Sequence, residues 1–276
     1  MHKPRFKISK KSRKKLLWLM PLSIGAVVLI YNAFILITWV VDHYAITTEI
    51  AQLNETTEIA EVVEGEPVNP PKDNNDNDYW NFMKMSLLNV DIAELKKQNP
   101  DTVGFISVAG TNINYPVVQT GDNDYYLHHS FKKSKNNAGW VFMDHRNSAG
   151  LTDQNTVIYG HSRLGGTMFS TLKNILNSSW VDVRDNHVVR YVSETETMLF
   201  QVFSVYTVPV ESYYIQTRFG NDAQYRGWAN EMIGRSKYDF RTSVDENDQV
   251  LTLSTCHNDN SVRVVMQAKL IKKNSL

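Results

Sequence analysis

The 276-residue sequence contains one cysteine, Cys256, so the chain cannot form an internal disulfide. It also lacks the paired Cys and His spacings that are typical of zinc sites. The acidic run at residues 73–78 lacks the spaced glycine and the distant glutamate of a calcium loop. We therefore expect no metal centre, and Cys256 is either an inert packed thiol or a free, reactive one.

Two segments at the N-terminus differ sharply in charge: the first has no acidic residue, and the second has no charged residue at all. Residues 1–15 carry eight Lys or Arg and no acidic residue, and residues 16–41 carry no charge over 26 positions. A membrane-spanning helix needs about 20 apolar residues, whereas the apolar core of a signal peptide has only about 7 to 15. Because basic flanks stay in the cytoplasm, we expect a cytoplasmic tail at 1–15, a single transmembrane helix at 16–41 and an extracellular remainder.

The formal net charge of zero conceals two oppositely charged parts. Eight of the 29 Lys and Arg residues lie in the tail, which leaves 21 against all 29 Asp and Glu. An acidic ectodomain argues against nucleic acid as a partner. Residues 42–78 are acidic and rich in Thr and Asn, and their second half has few large apolar groups. We therefore expect an extracellular stalk there, followed by one folded domain at 79–276.

The expected domain reads as mainly β. Apolar spacing from Trp80 to Leu95 predicts an amphipathic helix, or two short ones, that Pro100 ends. Short strands then dominate, at 103–108, 113–119, 139–143, 156–160, 187–192, 198–208 and in a closing hairpin. Strands at this density indicate a closed or nearly closed barrel. Two helical insertions are predicted at 167–176 and 221–235, the second with Asn221 or Asp222 as its N-cap.

The closing segment at 250–270 predicts an antiparallel hairpin, because residues alternate in polarity on both sides of a polar loop at 257–262. This arrangement sets Cys256 at the end of one strand and Arg263 at the start of the next. A guanidinium beside a thiol can favour the thiolate and can donate two parallel hydrogen bonds to an oxyanion. The alternative is a buried cysteine in a core strand, with a surface arginine opposite.

His161 is the candidate partner of this thiol. It follows the predicted strand at 156–159 and the strand-breaking Gly160, and active-site groups are often carried where a strand passes into a loop. His257 directly follows Cys256, but successive residues of a strand face opposite sides, which makes it a poorer candidate. The alternative for His161 is an ordinary structural histidine.

Taken together, these motifs resemble those of class B sortases. The segment TLSTC at 252–256 matches the family's cysteine motif, with Arg263 on the next strand, and TVIYGH at 156–161 matches its histidine motif. The insertion that begins YIQTRF at 214–219 is typical of class B. Further similarity runs through 99–119, 123–131, 141–147 and 166–174.

The resemblance implies an eight-stranded β-barrel with an N-terminal helical segment and an inserted helix before the last strands. It implies a catalytic trio in which the Cys256 thiolate attacks a Thr carbonyl in the sorting signal of a secreted protein. His161 would protonate the leaving amine, and Arg263 would stabilise the oxyanion. An amine of a cell-wall precursor or of a pilin would then resolve the thioester, without a cofactor. The implied substrate contacts are Asn123, Leu127, Tyr214, Ile215 and Ser254, and the implied signal contains Asn-Pro.

Two other functions are compatible with the same residues. A cysteine hydrolase of this fold would release peptides instead of joining them, and product identity in the presence of an amine distinguishes it. A non-catalytic surface domain would bind wall or partner proteins and keep Cys256 as a buried, inert thiol. Slow reaction of that thiol with a small reagent in the native state would favour this third function.

Overall fold

The computed structural model describes residues 10–71, 77–163, 165–256 and 262–276, and the chain divides into two compact units, Met1–Ala45 and Ile46–Leu276. Helix α1 (Lys10–Thr56) supplies the described part of the first unit and the first residues of the second. Its candidate membrane span begins at Met20, has a mean hydropathy of 2.3 and contains no buried residue in its most apolar window. In the described residues, this is the one helix long and apolar enough to cross a membrane.

The second unit continues with short elements that precede the barrel. They are β1 (Ile59–Val62), β2 (Glu66–Pro67), α2 (Asn77–Met83), β3 (Leu87–Val90) and α3 (Ile92–Gln98). The barrel strands are β4 (Thr102–Val108), β5 (Asn114–Val118), β6 (Phe142–Met143), β7 (Asn155–His161), β8 (Val188–Val192), β9 (Glu196–Val208), β10 (Val250–Cys256) and β11 (Arg263–Ser275). Short helices join them: α4 (Ser178–Val181), α5 (Asp222–Arg235) and the 3-10 helices Tyr125–Leu127, Phe169–Leu176 and Arg184–Asn186.

Eight strands close into a barrel in the order β10, β7, β6, β5, β4, β8, β9 and β11, and an antiparallel ladder between β11 and β10 completes the ring. The predicted eight-stranded barrel is therefore confirmed. The β5–β6 and β7–β10 ladders are parallel, and the other ladders of the ring are antiparallel. The core is filled by large, fully buried aromatic side chains, among them Trp140, Phe105, Phe131 and Phe200.

The two inserted helices lie where the sequence predicts them. The first is a 3-10 helix, Phe169–Leu176, and the apolar side chains of Met168, Leu172 and Ile175 are all fully buried. The second, α5, begins after Asn221, whose side chain accepts a hydrogen bond from the Gln224 amide and so confirms the predicted N-cap. Its aromatic residues pack with Phe203 and Tyr206 of β9 in a second apolar cluster.

The segment between α2 and α3 differs from the helical expectation. Leu87 and Leu88 lie in β3, which pairs with β1 in an antiparallel ladder, so the two helices are short and separated by a strand. Asp91 ends this strand and caps α3 by accepting a hydrogen bond from the Glu94 amide at 2.9 Å. Helical spacing alone does not reveal this strand, because its pairing partner lies in the expected stalk.

The folded unit extends further toward the N-terminus than the boundary expected at residue 79. Ile46 and Leu53 of α1 are buried in the main core with relative exposures of 0% and 3%. Strand β2 adds to the end of β11, where Pro67 pairs with Lys272. Ile46, Ile50 and Leu53 are spaced by four and three residues, so they share one helical face even though their surroundings are acidic. Residues 72–76 of the expected stalk lie outside the described residues.

The side chain of Lys272 in β11 forms hydrogen bonds with the segments that precede the barrel. Its ammonium nitrogen Nζ donates to the carbonyl oxygens of Val63, Met83 and Met85 at 2.7, 3.1 and 3.0 Å. The residue is only 2% exposed, and burial, followed by the charge of Arg190, lowers the pKa of Lys272. An ammonium has three donors, so each of its protons has an acceptor in this arrangement.

Replacing Lys272 with methionine should lower the free energy of unfolding by about 2–4 kcal/mol, because three carbonyls lose their donor. The measurement is chemical denaturation of the full chain in detergent micelles at pH 7. Lys273→Met is the matched control. The side chain of Lys273 pairs with Glu196 at the surface and is 44% exposed. An equal loss in the two variants would contradict this role for Lys272.

Candidate active site

The three residues that the sequence singles out lie at one end of the barrel. Strands β7 and β10 run parallel, and the last register pair of their ladder is His161 with Cys256. Neighbouring strands lie about 4.8 Å apart, so the two residues end adjacent strands side by side. Arg263 opens β11, which is the antiparallel neighbour of β10, and pairs with Val208 on its other side. The side chain of Cys256 and residues 257–261, with His257, lie outside the described residues.

Thr255 links the two strands of the closing hairpin near this end. The β10–β11 ladder has its last register pair at Ser254 and Val265. Beyond it, the hydroxyl oxygen of Thr255 accepts a hydrogen bond from the Val264 amide at 2.9 Å, and Thr255 is 2% exposed. A side chain therefore holds the strands together immediately beside Cys256 and Arg263.

His161 is buried and held by a loop from across the site. Its Nε2 lies 2.9 Å from the carbonyl oxygen of Leu127, which ends the 3-10 helix at 125–127. A carbonyl only accepts hydrogen bonds, so Nε2 carries the proton in this geometry. The contact brings Leu127, a predicted substrate residue, into the immediate surroundings of the histidine.

Gly139 makes this placement of His161 possible, and the sequence analysis missed it. Its φ is +61°, and a Cβ built there would lie 2.5 Å from the Tyr126 carbonyl oxygen and 2.8 Å from Cδ2 of His161. Both distances are shorter than real Cβ contacts. A glycine is therefore required for two separate reasons, the backbone conformation and the space that the imidazole occupies.

The other four predicted substrate residues each form a hydrogen bond within the described part of the barrel and its loops. The hydroxyls of Tyr214 and Ser254 share a hydrogen bond of 2.9 Å, and both residues are buried, at 3% and 1% exposure. The Ile215 carbonyl oxygen accepts from Nη2 of Arg146 at 3.0 Å. Asn123 accepts from the His145 amide through its Oδ1 at 2.9 Å. The turn that follows β6 therefore contacts two of the predicted residues.

A buried ion pair between Asp144 and Arg146 lies within that turn, and the sequence analysis assigns no role to either residue. The Asp144 side chain is wholly buried and accepts from Nε and Nη2 of Arg146 at 2.9 and 2.7 Å. It also accepts from the hydroxyl of Tyr159 at 2.8 Å. Burial alone would raise the pKa of Asp144, but the hydrogen bonds from Arg146 and Tyr159 outweigh it and hold this pKa below its usual range. The carboxyl group therefore stays ionised.

A second buried network runs across the β7–β10 and β10–β11 ladders. Gln267 donates to the Thr252 hydroxyl at 3.2 Å, and that hydroxyl donates to Oδ1 of Asn155 at 2.7 Å. Nδ2 of Asn155 donates to the carbonyl oxygens of Gln216 and Tyr214 at 2.9 and 3.4 Å. The signal available in the sequence is the alternation of Thr252 and Ser254 with the apolar residues Leu251 and Leu253 in β10.

Comparisons with known proteins agree with this geometry. A family model described as a sortase domain matches residues 106–271. Sortase B of Listeria monocytogenes is 34% identical over 186 residues, which cover 66% of this chain and 75% of that protein. A Staphylococcus aureus sortase B–substrate complex superposes with a TM-score of 0.62 at 34% identity, covering 66% of this chain and 84% of its own. A Bacillus anthracis protein described as similar to sortase B gives 0.61 at 38% identity, covering 66% and 82%.

Gly139→Ala should lower the free energy of unfolding by about 2–4 kcal/mol, because the new Cβ collides with backbone and with His161. Gly121→Ala is the control, since a Cβ there meets nothing within 4 Å, and it should change stability by less than about 0.5 kcal/mol. Thermal and chemical unfolding of both variants measure the difference. Equal stability of the two would show that the loop adapts and that the close approach is unimportant.

Asp144→Asn should destabilise the protein by about 2–4 kcal/mol at neutral pH, because it leaves the Arg146 guanidinium without its buried counter-ion. The pKa of Asp144 is depressed in the folded state, so the stability it contributes is complete above its unfolded pKa and is lost as pH falls through the folded value. The difference in free energy of unfolding between wild type and variant should therefore narrow below about pH 4. Denaturation at several pH values measures it.

Asp182→Asn, at an exposed aspartate, is the control for this series. It should leave the dependence of the free energy of unfolding on pH unchanged. A gap between wild type and Asp144→Asn that is independent of pH down to acid unfolding would contradict the assignment.

Proposed function

Since the chain belongs to the sortase family and is a class B cysteine transpeptidase, we propose that Cys256 is its nucleophile and that His161 and Arg263 complete the active site. The observation that carries this proposal is the register pairing of Cys256 with His161 at the ends of two parallel strands. Sortases act on proteins that bear a sorting signal and transfer them to an amine.

In the proposed first step, the Cys256 thiolate attacks the carbonyl carbon of a Thr residue in the sorting signal. A C–S bond forms, and the carbonyl electrons move to oxygen to give a tetrahedral oxyanion. Collapse of this intermediate breaks the peptide C–N bond. Protonated His161 delivers a proton to the departing amine, and a thioester on Cys256 remains.

The second step reverses the first with a different nitrogen. An amine of a cell-wall precursor or of a pilin attacks the thioester carbonyl and forms a new amide bond. The amine loses its proton to His161, and the Cys256 thiolate leaves. The original protonation states return, so the cycle needs no cofactor.

Arg263 is assigned to the oxyanion and to the peptide backbone beside it. Its planar fork can donate two parallel hydrogen bonds, and an oxyanion benefits more than the neutral carbonyl of the ground state. The Thr255–Val264 hydrogen bond supports this role, because it fixes the start of β11 beside the end of β10.

The proposed groove for the sorting signal is lined by Leu127, Asn123, Tyr214, Ile215 and Ser254. Oδ1 of Asn123 is occupied by the His145 amide, so its Nδ2 is the end that would donate to a peptide carbonyl. We propose an Asn-Pro-containing signal for this groove.

The proposed placement puts this chemistry outside the cell. Helix α1 carries one span that is apolar enough for a membrane, and a basic tail precedes it. The positive-inside rule keeps that tail in the cytoplasm, so the catalytic unit and its secreted substrates would meet on the extracellular side.

The test of this function mixes the full chain, in detergent micelles, with peptides that carry Asn-Pro or Leu-Pro signals and with triglycine or hydroxylamine. Mass spectrometry should detect a peptide thioester on Cys256 that converts to an amine-joined product. Cys256→Ala should abolish both species while its unfolding curve matches wild type. An adduct that yields only hydrolysed peptide when amine is in excess would instead favour the hydrolase.

Arg263→Lys should reduce kcat/KM for the converted peptide by about 10²- to 10³-fold, because lysine keeps the charge but loses the planar fork. Steady-state kinetics measure the effect. Arg226→Lys is the matched control, since this exposed arginine pairs with Glu246 on the surface. Activity of Arg263→Lys close to that of the control would remove bidentate oxyanion binding from the mechanism.

A further inference from the structure

The Tyr214–Gln216 segment is fixed by side chains instead of by a sheet. It lies between β9 and α5 and belongs to neither. Asn155 donates to the carbonyl oxygens of Tyr214 and Gln216, and Arg146 donates to the carbonyl oxygen between them, that of Ile215. Three successive carbonyls are therefore held alternately by two different side chains.

The two side chains hold the segment from different environments. Asn155 is wholly buried and also accepts from Thr252, so the barrel fixes its position. The Arg146 side chain is 41% exposed and reaches the segment from the solvent side. Removing Arg146 therefore frees the outer side of the segment and leaves its attachment to Asn155 in place, but it also removes the counter-ion of the buried Asp144 carboxylate, which Arg146→Lys retains.

Arg146 is held in one orientation by its own partner. The guanidinium binds the buried Asp144 carboxylate through Nε and Nη2, and Nη2 also donates to the Ile215 carbonyl. The hydrogen bond to Asp144 raises the pKa of Arg146 above its ordinary value, so the guanidinium stays charged. A planar fork can satisfy a carboxylate and a carbonyl in fixed directions, whereas a lysine ammonium has no such preset geometry.

The turn that carries Arg146 is anchored to the strand of the catalytic histidine. Nε2 of Gln119 donates to the carbonyl oxygens of Asp144 and Asn147, both at 2.8 Å. Asn147 accepts from the Val157 amide of β7 at 2.9 Å through Oδ1. The turn is therefore hydrogen-bonded both to β7, which ends at His161, and to the Tyr214–Gln216 segment.

We propose that Arg146 is a positioning residue for the sorting signal, which it serves by clamping the Ile215 carbonyl and so fixing one wall of the substrate groove relative to β7. This inference rests on the proposed function, because it assigns that wall to the sorting signal. Arg146 does not touch the reacting atoms. Its loss should therefore weaken substrate binding and leave the chemistry of the thiol intact.

The kinetic test compares Arg146→Ala, Arg146→Lys and Arg226→Ala in the full chain in detergent micelles. The substrate is the peptide that wild type converts fastest, with hydroxylamine as the acceptor. Arg146→Ala should raise KM about tenfold, the effect of losing a charge-assisted hydrogen bond, and should leave kcat within about twofold. Arg146→Lys should fall between that variant and wild type, and Arg226→Ala should match wild type.

The rate of Cys256 alkylation by iodoacetamide separates positioning from general damage. It should stay within about twofold of wild type in Arg146→Ala, since the groups near the thiol are unchanged. An unchanged KM would overturn the proposal. A parallel fall of kcat and alkylation rate in both Arg146 variants, with KM unaffected, would overturn it too.

Hydrogen exchange tests the clamp without any substrate. Amides of residues 213–219 should exchange about tenfold faster in Arg146→Ala than in wild type, while β7 and β10 keep their protection. Unchanged exchange at 213–219 would overturn the clamp. If wild type converts no peptide, the proposed function fails on that result alone, and the exchange measurement still decides whether Arg146 fixes the segment.

Discussion

The parallel ladder between β7 and β10 is the constraint on which this active site depends. A slip of one residue along that ladder would move every side chain of β10 to the opposite face and would separate His161 from Cys256. Apolar contacts alone discriminate poorly between registers in strands that are buried on both faces. The hydrogen bond from Thr252 to Asn155 does discriminate, because a slipped ladder would leave Oδ1 of Asn155 and the hydroxyl hydrogen of Thr252 buried without this pairing. The buried network thus specifies the register, and the register places His161 beside Cys256.

The same polar residues connect this ladder to the segment that we propose as one wall of the substrate groove. Asn155 belongs to the ladder and also holds two carbonyls of the Tyr214–Gln216 segment, so register and groove share one side chain. Asp144 has a similar double role, because it binds Tyr159 of β7 and orients Arg146 toward Ile215. Burial of an ionised carboxylate is costly unless it is fully paired. Here four hydrogen bonds pair it, and the result is a rigid connection between two loops far apart in sequence.

The barrel and the strand-end positions of His161 and Cys256 could be predicted because they depend on local alternation and on short motifs. The packing of Ile46 and Leu53 could not be, since an acidic, Thr-rich composition hides three apolar residues on one helical face. Strand β3 was missed for a related reason: its partner β1 lies in the segment expected to be a stalk. Gly139 and Arg146 act across loops, and their contacts with His161 and Ile215 leave no periodic signal in the sequence.

The hydrogen bond between the Thr255 hydroxyl and the Val264 amide closes the hairpin before its loop begins. The backbone register pairs of β10 and β11 end at Ser254 and Val265, so this side chain continues the pairing by one further residue on each strand. A threonine at position 255 is therefore a structural requirement of the hairpin, since a residue without a hydroxyl would remove this acceptor from the Val264 amide.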